Sequence, residues 1–499
     1  MSVTPSTSPA PEAVIVGAGP VGLWLAHELA LTGVQVLVLE RDEVRSPHSK
    51  ALGIMPRTVE VLALRDRHRD LLAAGRRSPG WHFGMLESRV DFSALPTPFP
   101  FMVIHPQRAT EELLEQYARE AGVVVRRGSA VTTLTQDDSS VTLRVSGPEG
   151  EYEVSAPYVV GADGGRSTVR GEAGVAFPGT ESSAYGFIGE VVLDDPPGSP
   201  GFAARSADGM FLVVPLGDGR FRLAGYDAVH QRREPPTMEE LRDASLRIAG
   251  TDFGMHSPSW LTRFGNATKV AAAYRAGRVL LAGDAAHIHW PAGGVGLNVG
   301  LQDAMNLGWK LAAVIQGRAG TELLDTYHAE RHPVGLELAG HTLAQGALIT
   351  RSTPETAALR GLLNEAISTD PAFSGMLAGK LSGVDVVYRS DDSAAHPLTG
   401  ARVHDPAGDG VFPLLHGGRA VLLVTGEEPL DTEVTDRAAE AGIAVRAGGI
   451  AGPGGPGWSG VTAVLVRPDG RVWWATGTPP GQQLTAEIAK ALTEVPAVF

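Results

Sequence analysis

The chain has 499 residues, 43% hydrophobic and 20% charged, which is core material for about two to four domains and excludes global disorder. It has no cysteine, so disulfides, thiolate nucleophiles and cysteine-ligated metal or iron–sulfur centres are excluded, while the compartment stays open. A formal net charge of −14 leaves no broad basic face for a nucleic-acid partner.

Residues 1–12 are rich in Ser, Thr and Pro and are expected to form a disordered tail. The apolar stretch over residues 13–39 lacks a preceding basic region and contains His27, Glu28 and Gln35. It therefore reads as neither a signal peptide nor a membrane span, and a soluble cytoplasmic protein without a membrane partner is expected. Residues 13–16 are short, apolar and mostly β-branched, the pattern of a buried parallel strand. Gly17-Ala18-Gly19-Pro20-Val21-Gly22 follows at once. Residues 23–31 predict a helix with Leu23, Ala26 and Ala30 on one side, and residues 34–39 a second strand ended by Glu40.

Each glycine has a physical task in such a βαβ unit. Gly17 permits the tight turn, Gly19 lets backbone approach a pyrophosphate, and Gly22 lets the helix pack close to the strand. The free N–H groups of the helix N-terminus face the phosphates, and Glu40, eighteen residues beyond Gly22, is within reach of the ribose hydroxyls. This predicts a dinucleotide site without choosing between FAD and NAD.

Further along, residues 158–167 (Tyr-Val-Val-Gly-Ala-Asp-Gly-Gly-Arg-Ser) run from a strand into an acidic glycine turn, and residues 278–287 (Arg-Val-Leu-Leu-Ala-Gly-Asp-Ala-Ala-His) do so again. Residues 291–298 are Pro-Ala-Gly-Gly-Val-Gly-Leu-Asn, and residues 301–316 predict a long helix beginning near Asn298. In this order the motifs resemble those of the class A flavoprotein monooxygenases, the group of the para-hydroxybenzoate and phenol hydroxylases. The resemblance implies an α/β chain with a Rossmann-like FAD-binding fold of the para-hydroxybenzoate hydroxylase type. It also implies Asp284 on the ribityl chain of FAD, and Asp163 and Gly164 near the pyrophosphate and the nicotinamide. Pro20 and Arg41 join that cofactor site. Gly296, Leu297 and Asn298 would open a helix whose N-terminus faces the flavin pyrimidine ring, where about half a positive charge stabilises the reduced, anionic flavin. Pro291 and Gly294 are the expected catalytic backbone positions beside flavin and substrate.

Gln107, just before a helix expected over residues 111–121, matches a glutamine that contacts the flavin side chain in the family. Lys50 stands where arginine is common, and it or neighbouring Arg45 is either a phosphate contact or a solvated charge. Val295 departs from a glutamine common in relatives. Trp290 is larger than the usual occupant of its position and is either an aromatic pocket wall or core packing. His287 and His289 read as pocket residues, with His287 near the flavin, and no metal is expected.

Residues 13–174 and 274–395 are thus expected to form the FAD-binding domain, interrupted by a middle domain over residues 175–273. Alternation in residues 209–215 and 220–225 predicts strands of a mixed or antiparallel substrate-domain sheet, with Met210, Leu212, Val214, Arg222 and Tyr226 as candidate substrate walls. Residues 396–499 predict strands over 420–425 and 461–467, helices over 430–441 and 483–492, a turn over 467–472, and a Gly/Pro-rich loop over 448–460. They resemble the thioredoxin-like C-terminal domain of larger class A members. Without cysteine that domain can do no dithiol chemistry, which leaves packing or oligomerisation, a homodimer included.

Residues 264–268 and 327–332 bring the chain nearest to the aromatic polyketide hydroxylases of angucycline and anthracycline type. The resemblance implies hydroxylation of a polycyclic aromatic polyketide by O2, through a flavin C4a-hydroperoxide, with NADPH or NADH as reductant. Two alternatives remain open: Baeyer–Villiger oxidation or epoxidation of a polyketide ring by the same flavin, and a flavin-binding partner protein without oxygenase activity.

Overall fold

Parallel strands must be apolar on both faces because helices cover them, and the most apolar segments of this chain meet in one such sheet. The computed structural model describes residues 10–198, 201–216, 219–389, 392–405, 407–408, 410–425, 430–448 and 458–494. The sheet has six strands in the order Arg275–Ala276, Val279–Leu281, Tyr158–Gly161, Ala13–Val16, Val36–Leu39 and Val124–Arg126. Five run parallel, with Ala13 level with both Tyr158 and Val36, and only the Arg275–Ala276 edge is antiparallel. Most of the expected tail lies outside the described residues. Its last residue does not hang free: Glu12 N–H donates to the Gln35 carbonyl (2.9 Å), and Gln35 N–H returns a bond to the Glu12 carboxylate (2.9 Å).

The first helix is Pro20–Leu31, three residues longer at its start than its apolar spacing predicts. Proline at the first helical turn has its φ preset and lacks only an N–H that would be unpartnered there. Nor is the helix one-sided, since every residue from Gly22 to Leu29 is buried. It lies between the sheet and the helices Gln107–Glu120 and Gly296–Ile315. Burial of Glu28 is matched by Arg65, whose Nη2 lies 2.7 Å from its Oε2.

The middle sheet is antiparallel throughout, ordered Phe202–Ser206, Gly209–Pro215, Phe221–Asp227, Tyr185–Leu193 and Met255–Gly265. Phe211, Val213 and Leu223 pack beneath it against Leu241, Ala244 and Ile248 of the helix Met238–Ala249. The alternate residues Met210, Leu212, Val214 and Arg222 are thereby turned to the opposite face.

The C-terminal sheet is ordered Ala444–Ala447, Val421–Val424, Ala463–Val466 and Val472–Thr476. The first pair is parallel and the others antiparallel, with helices Thr432–Glu440 and Gln482–Glu494. This βαβ–ββα order is that of a thioredoxin-like unit. Residues 449–457 of the expected Gly/Pro loop lie outside the described residues. The expected turn over 467–472 is present but is not a surface turn: Arg467, Asp469 and Arg471 are all buried against the flavin-side helices. Among the described residues no helix is long and apolar enough to cross a membrane.

Candidate active site

Parallel strands of an open sheet offer a binding crevice at their carboxyl ends, where successive strands diverge. Here Val36–Leu39 lies on one side of Ala13–Val16 and Tyr158–Gly161 on the other, and a cleft of about 2240 Å³ opens at that point. It runs from Gly17, Ala18, Gly19 and Pro20 to the face of the middle sheet.

The three glycines of the first turn do different work. Gly17 has φ +109°, and a Cβ there would stand 2.4 Å from the Ala162 carbonyl. A Cβ on Gly22 would meet the Gly17 carbonyl at 2.1 Å, whereas one on Gly19 would meet nothing within 4 Å. Gly17 and Gly22 are thus required by the fold, while Gly19 keeps the cleft clear. Glu40 closes the turn: its Oε2 accepts from Ala18 N–H at 2.7 Å and its Oε1 from Asp42 N–H at 3.0 Å. Its remaining lone pairs face the cleft that it lines together with Arg41.

Asp163 lines the cleft but also organises its own turn. It accepts from Ser167 Oγ (2.5 Å) and Val169 N–H (3.2 Å), while Ser167 caps the helix Thr168–Glu172. Gly164, at φ +81°, faces open space beside it. Arg170 ties the two acidic turns together, donating to the carbonyls of Gly165 (3.0 Å) and Ala285 (2.9 Å). Asp284 is exposed to the cleft with no hydrogen-bond partner among the described residues.

Gln107 is the first residue of its helix, four positions earlier than expected. Its backbone N–H donates to the Ala51 carbonyl (3.0 Å) and its Oε1 accepts from Ala51 N–H (3.1 Å), which fixes the segment carrying Lys50. Lys50 is exposed at the cleft. Arg45 also lines the cleft but is engaged by Glu115 at 2.6 Å and Glu112 at 3.3 Å.

The long helix begins at Gly296, two residues before Asn298. It has no side-chain cap, so the N–H groups of its first turn are free to face a ligand. Pro291, Gly294, Gly296 and Leu297 line the cleft. The Asn298 side chain does not. It is buried, accepting from Met55 N–H (2.7 Å) and donating to the carbonyls of Gly53 (3.0 Å) and Gly294 (3.1 Å), a clamp that holds the glycine loop in place. Val295 lines the cleft too, but it is buried and packs with Phe83, Leu377 and Leu381 in an apolar cluster, which suits an apolar residue where relatives carry glutamine.

At the far end Trp290 is buried, with its ring 5.0 Å from that of Phe264, in a cluster with Met210, Met85 and Ile349. Met210, Leu212, Val214 and Arg222 line the cleft. Tyr226 stands opposite Met210 on the cleft-side face of the middle sheet and packs against that cluster, but it is not among the residues that line the cleft, a correction to its expected place. Arg222 is buried and paired with Glu190 at 2.6 Å. His289 lines the cleft, its Nδ1 donating to the Trp290 carbonyl (2.7 Å) so that Nε2 is left as the acceptor. Burial pushes its proton affinity down.

His287, expected beside the flavin, is instead buried behind the Gly283–Ala285 turn, with its Nε2 2.7 Å from Asp303 Oδ2. Asp303 also accepts from Gly283 N–H (3.1 Å) and from Arg331 Nε (2.7 Å). Burial alone would raise the Asp303 carboxyl, but the Arg331 charge and His287 hold it below its usual range. This network aims the turn that carries Asp284. The sequence did hold a signal for it: a single carboxylate in the helix Gly296–Ile315, and an arginine in the 327–332 block.

Residues 11–342 match the family model described as FAD binding domain, and residues 396–495 match the aromatic-ring hydroxylase C-terminal family. The chain belongs to the class A flavoprotein monooxygenases. It is 43% identical over 476 residues to an uncharacterized aromatic compound monooxygenase of Bacillus subtilis, covering 93% of this chain and 94% of that one. It is also 43% identical over 489 residues to the 12-dehydrotetracycline 5-monooxygenase/anhydrotetracycline 6-monooxygenase of Streptomyces rimosus, covering 94% and 96%. The solved structure of the anhydrotetracycline hydroxylase OxyS from Streptomyces rimosus superposes with a TM-score of 0.86 at 41% identity, covering 96% of this chain and 98% of that one.

FAD fits this flavoprotein's cleft on observations of its own chain. The empty space at Gly19 is a cradle that any Cβ would fill. Asp284 presents an unpartnered carboxylate to hydroxyl donors, and the first-turn N–H groups of the helix Gly296–Ile315 face the same space.

Proposed function

We propose that this flavoprotein hydroxylates a polycyclic aromatic polyketide, with O2 as oxidant and NADPH or NADH as reductant. The observation that carries the reading is the size and continuity of the cleft. At about 2240 Å³ it is more than twice the upper end of ordinary small-ligand pockets, roughly 1,000 Å³. One space therefore holds a dinucleotide at the Gly17–Glu40 end and a multi-ring molecule at the Trp290 end. The relatives named for tetracycline intermediates support the same substrate class.

In this reading residues 13–174 and 274–395 hold FAD, residues 175–273 roof the substrate and residues 396–499 pack against the flavin domain in a cytoplasmic enzyme. Gly17, Gly19, Pro20, Gly22 and the following helix start hold the pyrophosphate, with Asp163, Gly164 and Arg41 nearby. Glu40 accepts from ribose hydroxyls and Asp284 from the ribityl chain. Bound FAD supplies electron transfer from the nicotinamide and activation of O2. The N–H groups from Gly296 to Asn298 stabilise negative charge by hydrogen bonding and by the helix dipole. Gln107 and Lys50 position the edge of the cofactor. Pro291 offers its carbonyl beside the substrate and Gly294 leaves room for a flat ring, while Trp290, Met210, Leu212 and Arg222 wall the pocket and exclude water. His289 Nε2 stands ready to accept a proton at the wall.

Turnover with NADPH, a panel of polycyclic phenols and ¹⁸O₂, read by product mass, tests this. Incorporation of one labelled oxygen with the ring system intact supports hydroxylation. A labelled lactone would move the chain to ring cleavage. Reductant consumption with no labelled product across the panel would overturn the reading.

A further inference from the structure

The roof of the cleft carries more positive charge than its hydrogen bonds need. Arg205 lies on the strand Phe202–Ser206 directly opposite Met210, so it shares that residue's face, and both line the cleft. Its Nη2 donates to the Arg351 carbonyl, just past the end of the helix Asp325–Thr350, and its Nε is buried without a partner. Arg360, on the helix Pro354–Thr369, also lines the cleft, is buried, and donates to the carbonyls of Gly84 (3.0 Å), Leu348 (3.1 Å) and Met85. Among the described residues neither guanidinium forms an ion pair with a carboxylate, unlike the neighbouring cleft arginines Arg222 and Arg263, which pair with Glu190 and Glu240.

The two cations sit close enough that the Arg205 charge, after burial itself, holds down the proton affinity of Arg360, with exposed Glu87 as the offsetting acid. Capping the end of the Asp325–Thr350 helix accounts for part of the pair. A helix C-terminus, however, presents only about half a negative charge, so two guanidinium groups overmatch it. They stand beside Met85, Met210 and Ile349, the apolar cluster that also contains Trp290. A flat ring system held by that cluster would place a ring substituent at the guanidinium pair.

We propose that Arg205 and Arg360 form an anion-recognition subsite that selects polycyclic substrates bearing an acidic group, a carboxylate or an ionised enol, at the end of the molecule away from the flavin. The inference rests on the polycyclic reading above. Arg205 supplies charge at the cleft wall, and Arg360 supplies charge from a fixed position. Asn364, whose Oδ1 already accepts from Ser88 N–H (2.9 Å) at the same wall, has its Nδ2 left to donate.

Calorimetric titration of the FAD-loaded protein with two probes tests it: a dihydroxyanthraquinone carboxylate, and the same ring system with methyl in place of carboxylate. The wild type is expected to bind the carboxylate about tenfold or more tightly than the methyl compound, the scale of one charge-assisted hydrogen bond. Arg205→Gln should reduce that ratio severalfold while leaving the methyl compound's Kd unchanged, and Arg205→Lys should retain more of the preference than Arg205→Gln. Arg360 is unsuited to the test because it also holds three carbonyls of the wall. Equal binding of the two probes by the wild type, or an undiminished ratio in Arg205→Gln, overturns the subsite alone. Binding of neither probe overturns the polycyclic reading and the subsite with it.

Discussion

Gly17, Gly19 and Gly22 belong to one motif, yet the surroundings of each residue divide them into two kinds. An added methyl at Gly22 collides with the Gly17 carbonyl at 2.1 Å, and one at Gly19 enters open cleft. Gly22→Ala should therefore lower the stability of the apoprotein by about 1–3 kcal/mol, the cost of overpacking, read as a fall in Tm without FAD. Gly19→Ala should leave the apoprotein Tm unchanged and weaken FAD about tenfold or more, read by fluorescence titration. A loss of apoprotein stability in Gly19→Ala would mean that the turn, and not the ligand, needs the glycine. Val295 gives the opposite case. Its side chain is buried among Phe83, Leu377 and Leu381, so Val295→Gln should bury an unsatisfied amide and cost about 1–3 kcal/mol, with no gain in FAD affinity. At this scale the sequence was legible where backbone geometry itself was the message. It was not legible for Asn298 and His287, because which way a side chain turns depends on neighbours such as Met55 and Asp303 that are remote in the chain.

Among the elements, the strands of the middle sheet were the most readable, since a period of two decides both faces at once. Met210, Leu212 and Val214 line the cleft while Phe211 and Val213 fill the core beneath. Val213→Ala should cost about 1–3 kcal/mol of stability, the lower part of the range for emptying a core position, and leave the cleft as it is. Leu212→Trp should fold normally and bind FAD as the wild type does, while raising KM for multi-ring substrates more than for single-ring phenols. Equal effects on both substrate sizes would show that Leu212 lies away from the bound ring system. Helix starts were read late three times over, at Pro20, Gln107 and Gly296. In each case the first turn is built from proline, glutamine or glycine, without the apolar spacing that marks a helix interior. The site is concentrated in those first turns, where unpaired N–H groups lie.

Across the whole molecule, the C-terminal unit is joined to the flavin-side helices by buried charge as well as by a shared apolar core. Arg467 bridges Glu330 (2.7 Å) and Asp469 (2.5 Å), and Lys310 reaches Glu330 at 2.8 Å, all of them buried or nearly so. Composition cannot reveal such a docking, because a turn spelled Arg-Pro-Asp-Gly-Arg has the composition of a surface hairpin. Removing one partner of a buried ion pair leaves a charge stranded, at about 3–5 kcal/mol, so Arg467→Met should lose stability on that scale near neutral pH. The sign of its pH dependence follows from Glu330. Burial alone would raise that carboxyl, but Arg467 and Lys310 hold it well below the usual range, as Arg331 and His287 do for Asp303. A carboxyl depressed in the folded state contributes stability that is fully present above its unfolded pKa, about 4, and is lost as pH falls from there toward the folded value. The carboxylate share of wild-type stability should therefore hold down to about pH 5 and be lost progressively below about pH 4. It comes on top of an earlier loss that begins below about pH 6.5, because His82 and His341, whose proton affinity burial lowers to about 4, bind protons more tightly in the unfolded chain. In Arg467→Met the stranded carboxylates take up protons at higher pH, which relieves the penalty, so the Tm gap between variant and wild type should narrow on acidification. A gap that stays constant between neutral and acid pH, in parallel thermal melts, would show that Arg467 acts through packing and that its charge does not hold the C-terminal unit in place.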